Sequence, residues 1–218
     1  MTHPIINDLK KRYTTKKYDP NLRVSQPDLM VIIEAMRLSS SSINSQPWKF
    51  IIIESDAAKQ RMHDTFANNF QFNQPHIKTA SHIILFAHNP YYKRENYAQV
   101  IEQDIKNQRL QEDQREQAFG AYAFVDLNTD ETGNNAPWTK AQTYLALGNT
   151  LHTLARLGID STAMEGIDSD LISKEFAIEL DGYQCGVALA IGYHHKEQDY
   201  NQPLPKSRLT TEQVVQIL

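Results

Sequence analysis

Four cations stand in two short clusters near opposite ends of the 218-residue sequence, Arg12-Tyr-Thr-Thr-Lys16 and Leu204-Pro-Lys206-Ser-Arg208. A guanidinium offers parallel N–H donors and an ammonium a compact charge, so the chemistry open to them is the binding of an anion. Taken singly, each cluster reads as solvated surface charge. The eight histidines, at 3, 63, 76, 82, 88, 152, 194 and 195, form no H-E-x-x-H. Adjacent His194 and His195 point to opposite faces of an extended segment, a poor geometry for zinc. Cys185 has no CxxC partner and reads as a small core residue. No G-x-G-x-x-G, G-x-x-x-x-G-K-[ST] or G-x-S-x-G occurs, and 8 glycines leave little scope for a phosphate-cradling loop.

The elements that must position these residues follow from apolar periodicity and breakers. Ile5, Ile6, Leu9 and Tyr13 have helical spacing. Ser25-Gln-Pro-Asp is a capping-box variant with Pro27 in the first turn, and Leu29, Ile32, Ile33 and Met36 form one helical face behind it. The polar stretch from Ser39 to Pro47 reads as a loop. Lys49 to Glu54 and His82 to Ala87 read as strands buried on both faces. Asp56 is expected to cap a helix running to Phe66, and residues 93 to 118 a solvated helix with Val100, Ile101 and Ile105 on one stripe. After an irregular loop at 126 to 137, Trp138 to Leu157 is a long central helix closed by Gly158. Ile159 to Met164 is a strand, Asp168 caps a short helix, and Cys185 to Tyr193 is a strand. The tail from Gln198 is extended. Helices outnumber strands with no βαβ series, which gives an α+β fold with a small sheet sandwiched by helices.

The bulk numbers bound the reading. A 40% hydrophobic and 22% charged chain is ordinary globular usage. One cysteine permits no intrachain disulfide and fits a reducing compartment. A net charge of −4 argues against a nucleic-acid binder. The start, Met1-Thr2-His3-Pro4, lacks the basic and apolar regions of a signal peptide, and no apolar run approaches the ~20 residues of a membrane span. A single domain, 1–218, placed in the cytoplasm is expected.

Five segments change the weight of the end clusters: residues 12 to 19, 41 to 48 (Ser-Ser-Ile-Asn-Ser-Gln-Pro-Trp), 143 to 151, 164 to 168 (Met-Glu-Gly-Ile-Asp) and 204 to 209 (Leu-Pro-Lys-Ser-Arg-Leu). In this order and spacing the chain resembles the nitroreductase family, most closely its oxygen-insensitive NAD(P)H nitroreductase and dihydropteridine reductase group. The resemblance runs nearly the whole length. It implies a three-layer sandwich, a small mixed sheet flanked by helices, in an intertwined homodimer with two FMN sites at the interface.

It also assigns roles. Arg12, Lys206 and Arg208 match the family's phosphate positions, and a phosphate dianion suits bidentate guanidinium contacts plus an ammonium. Tyr13 and Thr14 match positions alongside phosphate and ribityl chain. Lys16 matches the position facing the flavin N1–O2 edge, where a cation favours the reduced form. Asn73 matches the amide on the pyrimidine edge, and Glu165 and Gly166 match positions whose backbone N–H groups approach N5 and O4. Ser40, Ser41, Ser42 and Asn44 match a segment that reaches the partner's flavin. Phe70, Phe72 and Phe124 match positions around the open flavin face, although an aromatic triplet also suits a core.

Two positions depart from the family pattern: His76 stands where close relatives carry a second lysine near O2, and Ser40 where proline is usual. A neutral imidazole stabilises a reduced flavin anion less, which leaves its potential lower or pH-dependent. The implied activity is ping-pong hydride transfer from NADH or NADPH through FMN to small acceptors such as nitroaromatics, quinones or pterins. The cofactor carries the bond-making, with no catalytic side chain and no metal. The alternative is a flavin-binding sensor or sequestering protein without turnover. Nothing in the sequence separates NADH from NADPH.

Overall fold

The computed structural model describes residues 3–218; Met1 and Thr2, part of the amino terminus read above, lie outside the described residues. The helices are α1 (Pro4–Lys11), α2 (Gln26–Arg37), α3 (Asp56–Asp64), α4 (Gln74–Thr79), α5 (Arg94–Lys106), α6 (Arg115–Ala118), α7 (Ala123–Asp126), α8 (Ala136–Leu157), α9 (Ser169–Glu175), α10 (Ala177–Leu180) and α11 (Thr211–Val214). The strands are β1 (Trp48–Ile53), β2 (His82–His88), β3 (Asp160–Met164) and β4 (Gln184–Gly192), in the order β1-β2-β4-β3.

β2 and β4 are continuous apolar runs because both their faces are covered, and the period of two divides each run between two cores. Ile83 and Leu85 face one side with Met62, Phe66, Ile172 and Phe176 from the helices there. Ile84, Phe86, Val187 and Leu189 face the other, against Leu29, Ile32 and Met36 of α2 and Ala146, Leu147 and Leu154 of α8. The result is the expected α+β three-layer sandwich. The pairings between named strands are all antiparallel, and the parallel component of the expected mixed sheet reduces to one isolated bridge, Thr14 to Ser161.

Several expectations are corrected by local physics. β1 is not buried on both faces: Trp48 to Ile52 are half-buried because β1 pairs only with β2 and forms an outer edge. Composition alone does not distinguish an edge run from a central one. Ser55, not Asp56, caps α3, its side chain accepting the N–H of Ala58. The long helix expected over 93 to 118 ends at Lys106, since Gln108 takes a left-handed conformation (φ 60°), and the chain resumes as short turns and helices to Asp126. α8 starts at Ala136 and ends at Gly158 (φ 72°), the conformation that favours glycine there. The first helix stops at Lys11, before Tyr13.

A third cluster lies outside the two sheet cores. Tyr92, Tyr97, Ile101, Val125 and Trp138 are buried together, with Ile43, Phe119 and Tyr122 packed against them. It joins the α5–α7 segment to the start of α8.

Candidate functional site

Arg12 leaves α1 in an extended conformation (φ −60°, ψ 128°), and the next residues run beside the outer strand β3. Thr14 bridges Ser161, and Thr15 N–H donates to Ser161 O at 3.2 Å. The tail returns to this strip from the far end of the sequence. The buried Asp199 carboxylate accepts the Tyr13 hydroxyl at 2.9 Å and the Lys16 N–H at 3.2 Å. Asn201 Nδ2 donates to Thr14 O at 2.7 Å, and the Lys206 ammonium donates to Arg12 O. The two cationic clusters thereby share one cavity of about 610 Å³, lined by Lys10, Lys11, Arg12, Lys206 and Arg208 with Asp160 as its only carboxylate.

Like charges gathered in a partly desolvated space oppose their own ionisation. Burial, then Arg208, lowers the Arg12 pKa; burial, then Arg12 and Arg208, lowers that of Lys206. Asp160 is already engaged, its Oδ2 2.8 Å from both the backbone N and Nδ1 of His194. None of the five cations has an ion-pair partner among the described residues.

Thr14 also lines a second cavity, of about 370 Å³, so the two adjoin. Its walls carry Lys16, Asn73, His76, Glu165 and Gly166, with Phe72 and Tyr200 largely exposed at its rim. The turn after β3 is locked from both sides. Asn73 Nδ2 donates to Gly166 O at 2.8 Å, and a Cβ on Gly166 would stand 3.0 Å from Phe70 Cδ1 and 3.3 Å from Phe72 Cζ. Tyr144 of α8 donates to Glu165 Oε1; burial, then that hydrogen bond, pushes the phenol pKa up to about 12. His76 is buried with Nδ1 lacking any partner; burial, then Lys16, lowers its pKa, opposed by Asp199. The imidazole is therefore neutral near pH 7.

The expected site residues fall into two groups. Arg12, Tyr13, Thr14, Lys16, Phe72, Asn73, His76, Glu165, Gly166, Lys206 and Arg208 line the joined cavities, and Phe70 packs on Phe72 and Gly166. Ser40, Ser41, Ser42, Asn44 and Phe124 line neither cavity. The serine loop leads into β1, the other outer strand, and Phe124 lies 6.3 Å from the Trp138 ring in the neighbourhood of the third cluster. Asp199 and Tyr200 were missed. A lone aspartate in a polar tail carries no periodic or motif signal, whereas Tyr200, an aromatic close before the basic tail cluster, offered one.

The family model described as nitroreductase family matches residues 9–193. The chain belongs to the nitroreductase family. It is 64% identical over 218 residues to the major NAD(P)H-flavin oxidoreductase of Aliivibrio fischeri, with 100% of each chain covered. It is 31% identical over 210 residues to the oxygen-insensitive NAD(P)H nitroreductase of Salmonella typhimurium, covering 95% of this chain and 96% of that one. Its fold superposes with a TM-score of 0.82, at 20% identity, on a protein from Exiguobacterium sibiricum assigned as a nitroreductase and solved in complex with FMN; 100% of this chain and 99% of that one are covered.

Proposed function

We propose that this member of the nitroreductase family is a cytoplasmic, homodimeric FMN-dependent NAD(P)H oxidoreductase, a single FMN-binding domain over residues 1–218 that reduces small electron-poor acceptors. The observation that carries the reading is the pair of adjoining cavities: one is lined by five cations with no ion-pair partner among the described residues, and the other by a neutral buried imidazole whose Nδ1 has no hydrogen-bond partner among them. That donor set fits a ligand with a dianionic end and a polar flat end. The 64% identity to a protein named as an NAD(P)H-flavin oxidoreductase points to the same ligand.

In this reading Arg12, Lys206 and Arg208 hold the FMN phosphate, with Tyr13 and Thr14 beside them. Lys16, Asn73, His76, Glu165 and Gly166 hold the flavin end, and Phe70, Phe72 and Phe124 border the acceptor slot. FMN, when bound, would supply two-electron redox chemistry between NADH or NADPH and the acceptor. The chain's own work is to bind, to orient and to keep a flat slot. Lys16 places a fixed positive charge at the flavin end, and Asn73 holds the 165–166 turn against it.

The homodimer rests on the division of the site. Ser40, Ser41, Ser42, Asn44 and Phe124 belong to the other edge of the sheet, so a second copy is what brings them to these cavities. The surface left over in one chain agrees with that: Ile5, Ile6 and Leu9 of α1, and Val214, Val215, Ile217 and Leu218 of the tail, are all exposed. In this reading the tail crosses to the partner and adds a strand to its sheet, for which the outer edge of β1 is open. No helix among the described residues is long and apolar enough to cross a membrane.

The test is anaerobic addition of NADH or NADPH to the purified protein loaded with FMN. The expected result is complete bleaching of the flavin absorbance within seconds, restored by a quinone or nitroaromatic. A flavin that stays oxidised with both donors would overturn turnover and leave a sequestering protein.

A further inference from the structure

The loop between α2 and β1 holds three left-handed residues, Ile43 (φ 50°), Asn44 (φ 54°) and Gln46 (φ 46°), half of the six non-glycine residues with positive φ among the described residues. Asparagine tolerates this region; a β-branched isoleucine does not, and such a conformation persists only where its surroundings over-determine it. The surroundings are two buried polar groups. Gln142, inside α8, accepts the Ser42 N–H through Oε1 at 2.8 Å while its Nε2 donates to Trp138 O at 3.0 Å. Tyr92 donates its hydroxyl to Ser45 O at 2.7 Å.

Tyr92 is itself fixed. Its backbone N–H donates to Asn135 Oδ1 and its carbonyl accepts from Asn135 Nδ2, both at 2.9 Å, and Asn135 is the fully buried residue that opens α8. The Ile43 side chain packs against the same cluster of Tyr92, Tyr97 and Trp138. Trp138 stacks edge-on with Tyr92 at 6.0 Å and with Phe124 at 6.3 Å. The strained loop and Phe124 therefore share one rigid support, the start of α8, with Tyr92 between them.

We propose that Tyr92 and Gln142 are positioning residues: they hold loop 41–46 in its left-handed conformation, and the loop so held, together with Phe124, sets the width of the slot that a flat conjugated acceptor enters. The second half rests on the reading above that this loop serves the partner's flavin. Neither side chain touches the joined cavities of its own chain. Their effect is on geometry, through the loop.

The test compares Tyr92→Phe with Tyr97→Phe, which removes the same oxygen from the same buried cluster without a bond to the loop. The first readout needs no turnover: amide hydrogen exchange of residues 41–46 in the FMN-loaded dimer. Tyr92→Phe is expected to speed it at least tenfold, and Tyr97→Phe less than twofold. The second readout is selectivity, the ratio of kcat/KM for a small benzoquinone to that for a bulky naphthoquinone. It is expected to move at least threefold toward unity in Tyr92→Phe, chiefly through KM, and to stay put in Tyr97→Phe. Gln142→Met should repeat the Tyr92→Phe pattern. Loop exchange at the wild-type rate in Tyr92→Phe would overturn the latch. Faster exchange with unchanged selectivity would overturn the link to acceptor width. A wild-type protein whose flavin NAD(P)H does not bleach would sink the oxidoreductase reading instead, with the exchange result still deciding the latch.

Discussion

The two outer strands of the sheet carry two kinds of site. Beside β3, charge is concentrated: five cations without ion-pair partners among the described residues border one cavity, and the adjoining one holds a buried imidazole whose Nδ1 has no partner among them. In the loop that leads into β1, residues 39 to 47, charge is absent and conformation is concentrated instead, in a serine-rich stretch with three left-handed residues held by uncharged hydrogen bonds. The first region is unfinished in a way that an anionic ligand repairs. The second is held through its backbone by Gln142 and Tyr92, with the buried Ser45 Oγ and Trp138 Nε1 left without partners, and is built to present a shape. If a second copy joins the two edges, as proposed above, one edge binds and the other selects.

Deleting residues 210 to 218 should break the comparison most severely. If the tail crosses to a second copy, the two regions meet only in the dimer, and the truncated protein should lose most of its FMN and dissociate. Light scattering and flavin absorbance of the purified truncation measure both. A fully flavinated dimer of unchanged stability would show that the tail plays no such part.

Arg208→Ala acts on the β3 region alone. Removing one arm of a charge-assisted cluster costs about 1.5–3 kcal/mol, roughly a 10- to 150-fold weaker FMN dissociation constant. Tyr92→Phe, which loosens the loop leading into β1 and leaves every residue of the cationic cavity in place, should change that constant by less than threefold. Fluorescence titration of the apo-protein separates them, and equal losses would erase the distinction between the two edges.

The smallest effects come from histidines. His88, near the end of β2 and beneath α8, is buried against Thr139, with its pKa lowered to about 4 by burial and then by Lys140. Its folded form binds fewer protons than the unfolded form below pH about 6.5. Stability is thus full above that value and drains as pH falls toward 4. Between pH 7 and pH 5 this amounts to about 2 kcal/mol, or a drop in Tm of roughly 5 °C. Melting curves of His88→Gln should show a shallower fall over that interval. His76→Lys, in the β3 region, should leave His88's contribution to the fall intact while raising the two-electron potential of bound flavin by on the order of 30 mV. Spectroelectrochemistry reads that shift; its absence would remove His76 from the flavin's surroundings.

Much of the β3 region was legible in the sequence, because its residues are chemically conspicuous and lie in short recognisable runs. Each cationic cluster alone read as solvated surface charge; it was the resemblance carried by those runs that set Arg12, Lys206 and Arg208 at a phosphate and Lys16 at a flavin edge. Asp199 was not legible: it draws its importance from Tyr13 and Lys16, 186 and 183 residues away, and no local pattern reports such a meeting. The β1 region was less legible still. Its serines were found through resemblance, but Tyr92 and Gln142 are an ordinary tyrosine and an ordinary helical glutamine until burial and partners are seen. The same limit explains the strand misread as central. Phe50, Ile51 and Ile52 are as apolar as Ile83 to Phe86, and only pairing decides which run becomes an edge.

The tie between Asp199 and the Tyr13–Lys16 strip has a consequence for the order in which the protein is made. Synthesis delivers the amino terminus first. By the time β4 has emerged, every strand of the sheet exists and both of its faces can be covered. The cationic cavity still has only part of its lining, since Asn201, Lys206 and Arg208 come later, as does Asp199, which ties the tail to Tyr13 and Lys16. A nascent chain could therefore fold its core before the two cationic clusters have met. The closure is also the contact of greatest chain separation in the site, so it forms late when a full-length chain refolds from denaturant.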